Sequence, residues 1–392
     1  RQVLLNGDVV SNARDTTGGV SARVFNGGTW GFSSNPDMSN DAIDGTISAA
    51  TRNADFLARR CGNEDAALPL SNASADSDFS TKKTLKTQEE KIAFLTEIDN
   101  YIVSSFPDVV SRQVLLSCLD MEKKLQTSEG SNGHNVTTRS LIAVKLTTEN
   151  ENKEPVELSE AIGARGQYED VFESMDTIIP ALDKLYAQLL DKKEAVQPIS
   201  GYHDVILASD LAGILAHEAI GHTTEADIVR AGSVAADYLN KKVASDLITL
   251  GDFANTYEGE TLPVPIYLDD EGVESLDAVI IEDGVLKSYM HNKDSAQHFG
   301  MPLTGNARAF SYTDEPLVRM RNTAILSGSS SLDEMIASID EGYLLMRPTN
   351  GQADSTSEFM FGVQMGYEIK NGKLGKAISC LLYTSPSPRD LR

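Results

Sequence analysis

Two histidines flank a glutamate in the segment LAHEAIGH, residues 215–222. Neutral imidazole is the commonest zinc ligand in proteins, and a glutamate beside such a ligand is placed to act as general base on a water molecule at the metal. His217 and His222 are therefore candidate zinc ligands, and Glu218 is the candidate catalytic base. The chemistry that these residue types indicate is metal-assisted hydrolysis.

The two histidines are one residue further apart than in the zinc-protease signature His-Glu-x-x-His. In a regular helix, residues five apart point about 140° away from each other, whereas residues four apart differ by about 40°. Gly221 precedes the second histidine and allows the helix to end, loosen or bulge there. One π-type turn would bring the two imidazoles onto the same face. The alternative is a helix end that carries two histidines by chance.

Several elements must position this segment. Asn-Gly and Gly-Gly pairs between β-forming residues predict hairpins in residues 1–37. Apolar periodicity predicts helices, and β-forming runs between the second and third of them predict an antiparallel meander. The predicted helices cover 37–60, 87–106, 175–196, the segment from Ser209 through His217, and 331–342. Residues 61–83 are rich in Ser, Asp and Ala and are predicted to be a loop.

The segment Pro198-Ile199-Ser200-Gly201 interrupts the pattern, and we place a domain boundary there. The predicted domains are an N-terminal α+β domain (1–198) and a β-rich C-terminal catalytic domain (199–379). Residues 380–392 are expected to be a non-native tail, and both ends of the chain are expected to be cut. The predicted fold class is α+β, with helices backing antiparallel sheets in two domains.

Composition excludes two classes of partner. The 392 residues include 34 Lys and Arg against 58 Asp and Glu, a formal net charge of −24. Such an acidic chain is not expected to bind nucleic acid or an anionic membrane surface. The sequence contains no run of about 18 apolar residues, so no membrane-spanning segment is predicted. The cysteines, at 61, 118 and 380, are few and odd in number, which favours a reducing, cytoplasmic location.

The wider sequence around the histidines resembles the TldD/PmbA family of zinc metalloproteases. The resemblance begins with GYHDVILASDLAGILAHEAIGHTTEAD (201–227) and with GGVSARVFNGGTWGFSSNPDMS (18–39). It continues, in order, through YLDDEGV (267–273), IIEDGVLKSYMHNKDSA (280–296), LTGNARAFSY (303–312), LVRMRNT (317–323) and GYEIKNGKL (366–374). It covers about residues 15–378.

The catalytic, TldD-like branch of that family carries a His-Glu-x-x-x-His (HExxxH) motif, which the PmbA/TldE-like partner branch lacks. The resemblance therefore implies a zinc peptidase that cleaves unfolded peptides or flexible protein tails, with His217 and His222 as ligands and Glu218 as general base. It also implies pairing with a second copy or with a PmbA/TldE-like subunit.

The third ligand of the family is a cysteine in a Cys-Gly segment beyond GYEIKNGKL. Cys380 does not match that segment, so we expect a C-terminally truncated chain.

Two other functions remain open. The first is a non-catalytic subunit that binds peptides or a partner protease, and the second is a metal hydrolase acting on a small molecule.

Other polar residues are expected to be structural or at the surface. The acidic residues Asp269, Asp270 and Glu271 are expected to form a turn rather than a second metal site. The arginines Arg308, Arg319 and Arg321 are expected at the surface or paired with acids between strands, rather than clamping a peptide carboxylate. His134 is expected at the surface, and His203, His291 and His298 are expected to be structural or at the surface. Cys61 and Cys118 are expected to pack in the core.

Overall fold

The computed structural model describes residues 1–62, 67–353, 359–379 and 381–385. Its helices are α1 (Asn40–Cys61), α2 (Gln88–Ser105), α3 (Tyr168–Val171), α4 (Ile179–Lys193), α5 (Ser209–Leu215), α6 (Ala226–Arg230), α7 (Lys293–Phe299) and α8 (Leu332–Ala337). No helix in these residues combines the length and apolar character needed to cross a bilayer.

The strands of the N-terminal half are β1 (Gln2–Leu5), β2 (Asp8–Asn12), β3 (Val20–Asn26), β4 (Thr29–Asn35), β5 (Ser74–Asp78), β6 (Ser111–Gln126), β7 (Asn132–Glu149) and β8 (Pro155–Arg165). Those of the C-terminal half are β9 (Asp204–Leu207), β10 (Leu250–Phe253), β11 (Thr256–Tyr257), β12 (Glu260–Thr261), β13 (Ala278–Glu282), β14 (Val285–Leu286), β15 (Ala307–Arg308), β16 (Leu317–Val318), β17 (Asn322–Ile325), β18 (Glu341–Ala353), β19 (Phe359–Lys370), β20 (Lys373–Ile378) and β21 (Leu381–Ser385).

The largest sheet is built on the long antiparallel pair β6 and β7. Its order is β2-β1-β6-β7, and the far edge of β7 pairs with β8 along one part and with β5, in parallel, along another. Side chains alternate between the two faces of a strand. On one face, apolar residues meet α2 and α4 in a core that includes Leu95, Ile98, Ile142, Val144, Leu182 and Leu185. The opposite face of β6 and β7 borders a cavity described below.

That core extends into the C-terminal half of the chain. Met365 in β19 and Ala377 in β20 belong to the same buried cluster. The guanidinium of Arg347 in β18 donates to the side-chain oxygen of Gln188 in α4 and to the carbonyl of Ser159 in β8. The two halves therefore share one core, and the proposed boundary between residues 198 and 199 stays a prediction.

Two further sheets position the histidine segment. One has the order β20-β19-β18-β9, with β21 also paired to β19, and here β9 and β18 run parallel. The other has the order β14-β13-β10-β17. The α+β fold with antiparallel sheets is confirmed. Part of the segment expected to be a non-native tail lies in β21, whereas residues 386–392 and Cys380 fall outside the described residues, so the tail stays a prediction.

Local signals account for most of the elements. The Asn6-Gly7 and Asn371-Gly372 pairs have positive φ in tight hairpins, as the turn chemistry requires. Thr87 and Glu90 form a capping box at the start of α2, as predicted. The antiparallel meander β6-β7-β8 is confirmed as well.

Three sequence-based predictions were wrong. The supposed loop 61–83 contains β5, which gains order by parallel pairing with β7. The predicted helix 331–342 ends at Ala337, because Glu341 already begins β18. Helix α7 was missed because few of its seven residues are apolar; a capping box at Asn292 and Ser295 begins it, and left-handed Gly300 ends it.

Candidate active site

The two candidate zinc ligands lie side by side because the helix changes its winding between them. Helix α5 continues directly into a π-turn, Ala216–Gly221, followed by a short 3-10 turn at His222–Thr224. The imidazole centroids of His217 and His222 are 4.7 Å apart, and the ring planes are inclined by 82°. The π-type turn expected from the spacing is confirmed.

The winding of the helix changes at Gly221 as expected, but the conformational freedom of glycine is not used there. Gly221 has φ −55° and ψ −58°, which are ordinary helical values that any residue adopts. Its hydrogen side chain is required instead by close packing, since an added Cβ would stand 2.0 Å from Sδ of Met320. Met320 follows β16 and reaches the turn from outside the helix.

Glu218 occupies a narrow space beside β18. Only 9% of the residue is exposed. Strand β18 passes so close that a Cβ on Gly351 would lie 2.5 Å from Oε1 of Glu218. Two glycines, one in the turn and one in β18, thus allow neighbouring segments to approach the motif closely.

A second carboxylate supports His222. Glu225 is almost fully buried, and its Oε2 lies 3.5 Å from Nδ1 of His222, a long hydrogen bond. The guanidinium of Arg319 lies 3.7 Å from the same oxygen. The hydrogen bond to Glu225 raises the pKa of His222, whereas burial, followed by the charge of His222, lowers the pKa of His217. The sequence analysis missed Glu225, although its place three residues after His222 was a usable signal.

The motif fits a metal in its donor types but is incomplete by itself. Two neighbouring imidazoles suit zinc, and the contact of Glu225 with Nδ1 leaves Nε2 of His222 available as a ligand. Within the described residues, no group of three His, Cys, Asp or Glu side chains is arranged to hold a metal ion. A third protein ligand would therefore come from elsewhere.

The acidic residues at 269–271 form a structural turn, as expected. Asp269 accepts hydrogen bonds from the backbone of Glu271, Val273 and Ala307. Asp270 pairs with Lys123 at 2.8 Å. These carboxylates are used within the protein, so the geometry gives no support to a second metal site here.

The three arginines have different environments. Arg321 is completely buried and pairs with Asp252 at 2.8 Å, which confirms the expected structural role. Arg319 contacts Glu225, as described above. Arg308 instead donates to the carbonyl of Met320, a neutral partner, at 2.7 Å. The expectation of a surface position or of pairing with an acid is therefore wrong for Arg308, which is half-buried.

None of the other histidines and cysteines in the described residues joins His217 and His222 in a group that could hold a metal ion. His134 pairs with Asp76 and Glu122, and His203 packs its ring edge-on against Tyr343. His291 is fully buried, where burial lowers its pKa to about 4. Cys61 is exposed, contrary to the core position expected for it, because it ends α1 on the outside; Cys118 is partly buried.

A cavity of about 690 Å³ opens beside the motif. One wall is the face of β6 and β7 that points away from α2 and α4, and the other wall comes from residues 264–270 and 308–320. Met320 belongs to this second wall and also meets Gly221 in the π-turn. Met320 therefore lies between the cavity and the turn that carries both histidines.

The sequence matches family models and relatives among known proteins. Residues 200–384 match the model of the PmbA/TldA metallopeptidase C-terminal domain, and residues 3–54 match that of PmbA/TldA metallopeptidase domain 1. A zinc metalloprotease TldD homolog of Saccharolobus solfataricus is 31% identical over 357 residues, which are 91% of this chain and 76% of the relative. A metalloprotease of Methanocaldococcus jannaschii is 31% identical over 365 residues, 92% of this chain and 78% of the relative.

Solved structures share the fold. A Thermotoga maritima protein superposes with a TM-score of 0.79 at 17% identity, covering 98% of this chain and 85% of that protein. TldE from Thermococcus kodakarensis gives a TM-score of 0.72 at 15% identity, with the same shares covered. The sequence relatives and the family models agree with the resemblance found in the sequence, and the chain belongs to the TldD/PmbA family of metallopeptidases.

Proposed function

We propose that this chain is the catalytic, TldD-like subunit of a zinc-dependent peptidase that cleaves unfolded peptides or flexible protein tails. The observation that carries the proposal is the π-turn, which sets the imidazoles of His217 and His222 4.7 Å apart with Glu218 between them in sequence. The name of the Saccharolobus relative, a zinc metalloprotease, supports the choice of metal.

In this proposal His217 and His222 hold the zinc ion, and a third ligand comes from outside the described residues. Zinc in such a site polarises a scissile carbonyl and lowers the pKa of water. The buried carboxylate of Glu225 accepts a hydrogen bond from Nδ1 of His222 and so fixes the tautomer that presents Nε2 as a ligand. The burial of His217 lowers its pKa and keeps it in the neutral form that binds metals.

Glu218 is proposed as the general base. Its carboxylate takes a proton from the attacking water and passes it to the departing amine. Gly351 allows β18 to close over this side chain, which limits the access of bulk water. The peptide approaches through the cavity between the β6–β7 face and residues 308–320.

A second copy or a PmbA/TldE-like subunit is the proposed partner, and the cytoplasm is the proposed location.

The test compares Glu218→Ala with the control Glu97→Ala. The control also removes one glutamate carboxyl group, at an exposed position on α2. Zinc binding is followed by titration, and cleavage of an unstructured peptide is followed by mass spectrometry, with and without a PmbA/TldE-like subunit. We expect both variants to bind zinc as the parent chain does and only Glu218→Ala to lose cleavage. Cleavage at the parent rate by Glu218→Ala would contradict the proposal.

The other functions predict different results. Peptide binding without hydrolysis, with zinc and a partner present, would identify a non-catalytic binding subunit. Chelator-sensitive turnover of small amides, but not of peptides, would identify a small-molecule hydrolase.

A further inference from the structure

The cavity next to Met320 has apolar walls, carboxylates that have partners, and two arginines that have no ion pair in the described part of the chain. On β6, Leu119, Met121 and Leu125 point into it at alternate positions, which is the spacing of one strand face. From the other wall, Leu268 packs so closely on β7 that a Cβ on Gly133 would lie 2.8 Å from its Cδ2. A concave apolar site with a few polar groups is typical of ligand pockets.

The carboxylates that border the cavity all have partners. Asp269 and Asp270 are engaged as described above, and Asp270 also accepts from the backbone of Ala309. Glu315 pairs with Arg23 at 2.9 Å. Asp314 accepts from the backbone of Ser311 in its own turn. Each of these carboxylates is therefore already engaged by a cation or by backbone N–H groups of the protein.

Two arginines that border the same cavity lack such partners. Within the described residues, no carboxylate lies at ion-pair distance from Arg308 or Arg139, and Arg308 donates only to a carbonyl oxygen. Burial lowers the pKa of Arg308, and the charges of Asp270 and Asp252 oppose this shift without forming an ion pair with it. The positive charge of Arg139 also acts on Arg308, so the two guanidiniums lie within electrostatic reach of each other. An arginine nevertheless keeps its charge in proteins.

The overall charge makes this pair conspicuous. The chain has 58 acidic residues and 34 basic ones, so an arginine without an ion pair is unexpected in it. Removing a charge from water without an ionic partner is costly, so the half-buried Arg308 is suited to an anionic ligand, and the exposed Arg139 adds a second positive charge beside it. The planar guanidinium matches a carboxylate with two parallel hydrogen bonds.

We propose that Arg308 and Arg139 bind a carboxylate of the peptide in this cavity, either its free C-terminus or an acidic side chain. Substrates would then be selected by one negative charge near the bound segment, with apolar residues of the peptide against the β6–β7 face. The identification of the ligand as a peptide rests on the proposed function, whereas the preference for a carboxylate rests on the two arginines alone.

The experiment measures binding, so it does not depend on catalysis. A short unstructured peptide carrying a fluorophore is titrated with the full chain by anisotropy, in the presence of a chelator so that no carboxylate binds a metal. Four peptides distinguish the two sources of the carboxylate, with either a free or an amidated C-terminus and either Glu or Gln at one internal position. The proteins are the parent chain, Arg308→Gln, Arg139→Gln and the control Arg52→Gln, which removes an exposed arginine from α1.

We expect the parent chain to bind one carboxylate form about tenfold or more tightly than its uncharged match. Both cavity variants should lose most of this preference, and Arg52→Gln should keep it. Arg139 is exposed, so its variant provides the test even where Arg308→Gln does not fold.

Three results would overturn the inference. They are equal binding of charged and uncharged peptides by the parent chain, a preference that survives both cavity substitutions, and no measurable binding of any peptide. Failure of the proposed function is separate: a carboxylate preference without cleavage in the zinc-loaded chain would leave this inference standing. Cleavage without any preference would leave the peptidase standing and remove the arginine subsite.

Discussion

Replacing Gly221 with alanine tests what holds the π-turn beside His222. The helical φ and ψ of Gly221 accommodate alanine without backbone strain. The obstacle is Met320, whose Sδ and Cε would lie 2.0 Å and 3.1 Å from the new Cβ, whereas ordinary contacts begin at 3.4 Å. The sulfur would have to be displaced by more than an ångström, into the cavity that Met320 borders.

Two opposing contributions set the size of the effect. Overpacking of a filled site costs about 1–3 kcal/mol. Alanine in place of glycine within a helix gains up to about 1 kcal/mol. We therefore expect Gly221→Ala to lower the free energy of unfolding by up to about 2 kcal/mol. In a Met320→Ala background the clash is absent, and the same substitution should stabilise the chain by up to about 1 kcal/mol.

The assay is urea unfolding of four proteins, namely the parent chain, the two single variants and the double variant, followed by circular dichroism. The reversal of sign corresponds to a coupling free energy of about 1–3 kcal/mol between residues 221 and 320. If Gly221→Ala destabilised both backgrounds equally, contact with Met320 would not be the reason for glycine. Backbone freedom in the π-turn would then be required after all.

Two further predictions concern buried polar groups. Glu225→Gln removes the negative charge at His222 and should weaken zinc binding by about tenfold or more, measured by titrating the metal-free chain; unchanged affinity would exclude an orienting role for Glu225. The pKa of His291 is lowered to about 4 in the folded chain, so in the unfolded chain His291 binds its proton at a higher pH. The free energy of unfolding should therefore fall as the pH drops from 6.5 towards 4. The loss should reach about 3 kcal/mol in urea unfolding, and an equally steep acid slope in His291→Gln would disprove its origin in this residue.

Local chemistry made several features predictable from the sequence. The hairpin turn at Asn371-Gly372 and the capping box at Thr87 depend on residues close together in the chain. The i,i+5 spacing of His217 and His222 indicated a change of winding if both bind one metal, and a π-turn was one of the geometries that it left open. In each case the residues that decide the structure lie within one or two turns of each other.

Long-range contacts were not predictable in the same way. The parallel pairing of β9 with β18 joins Asp204 to Gly342, far apart in sequence, and no local pattern specifies it. The same holds for the approach of Met320 to Gly221 and of β18 to Glu218. The sequence therefore indicated which residues belong to the motif, but not which segments enclose it.

These enclosing segments connect the motif to the cavity. Met320 contacts the π-turn, its carbonyl accepts from Arg308, and its neighbour Arg319 lies against Glu225, the partner of His222. A ligand held by Arg308 would thus contact the same short segment that packs on the turn carrying both histidines. Met320 borders the cavity on one side and packs on the turn on the other, so a shift of this segment can reach the turn through Met320. We therefore expect binding in the cavity and the geometry of the histidine pair to be coupled through residues 319 and 320, and the Met320→Ala substitution to weaken that coupling.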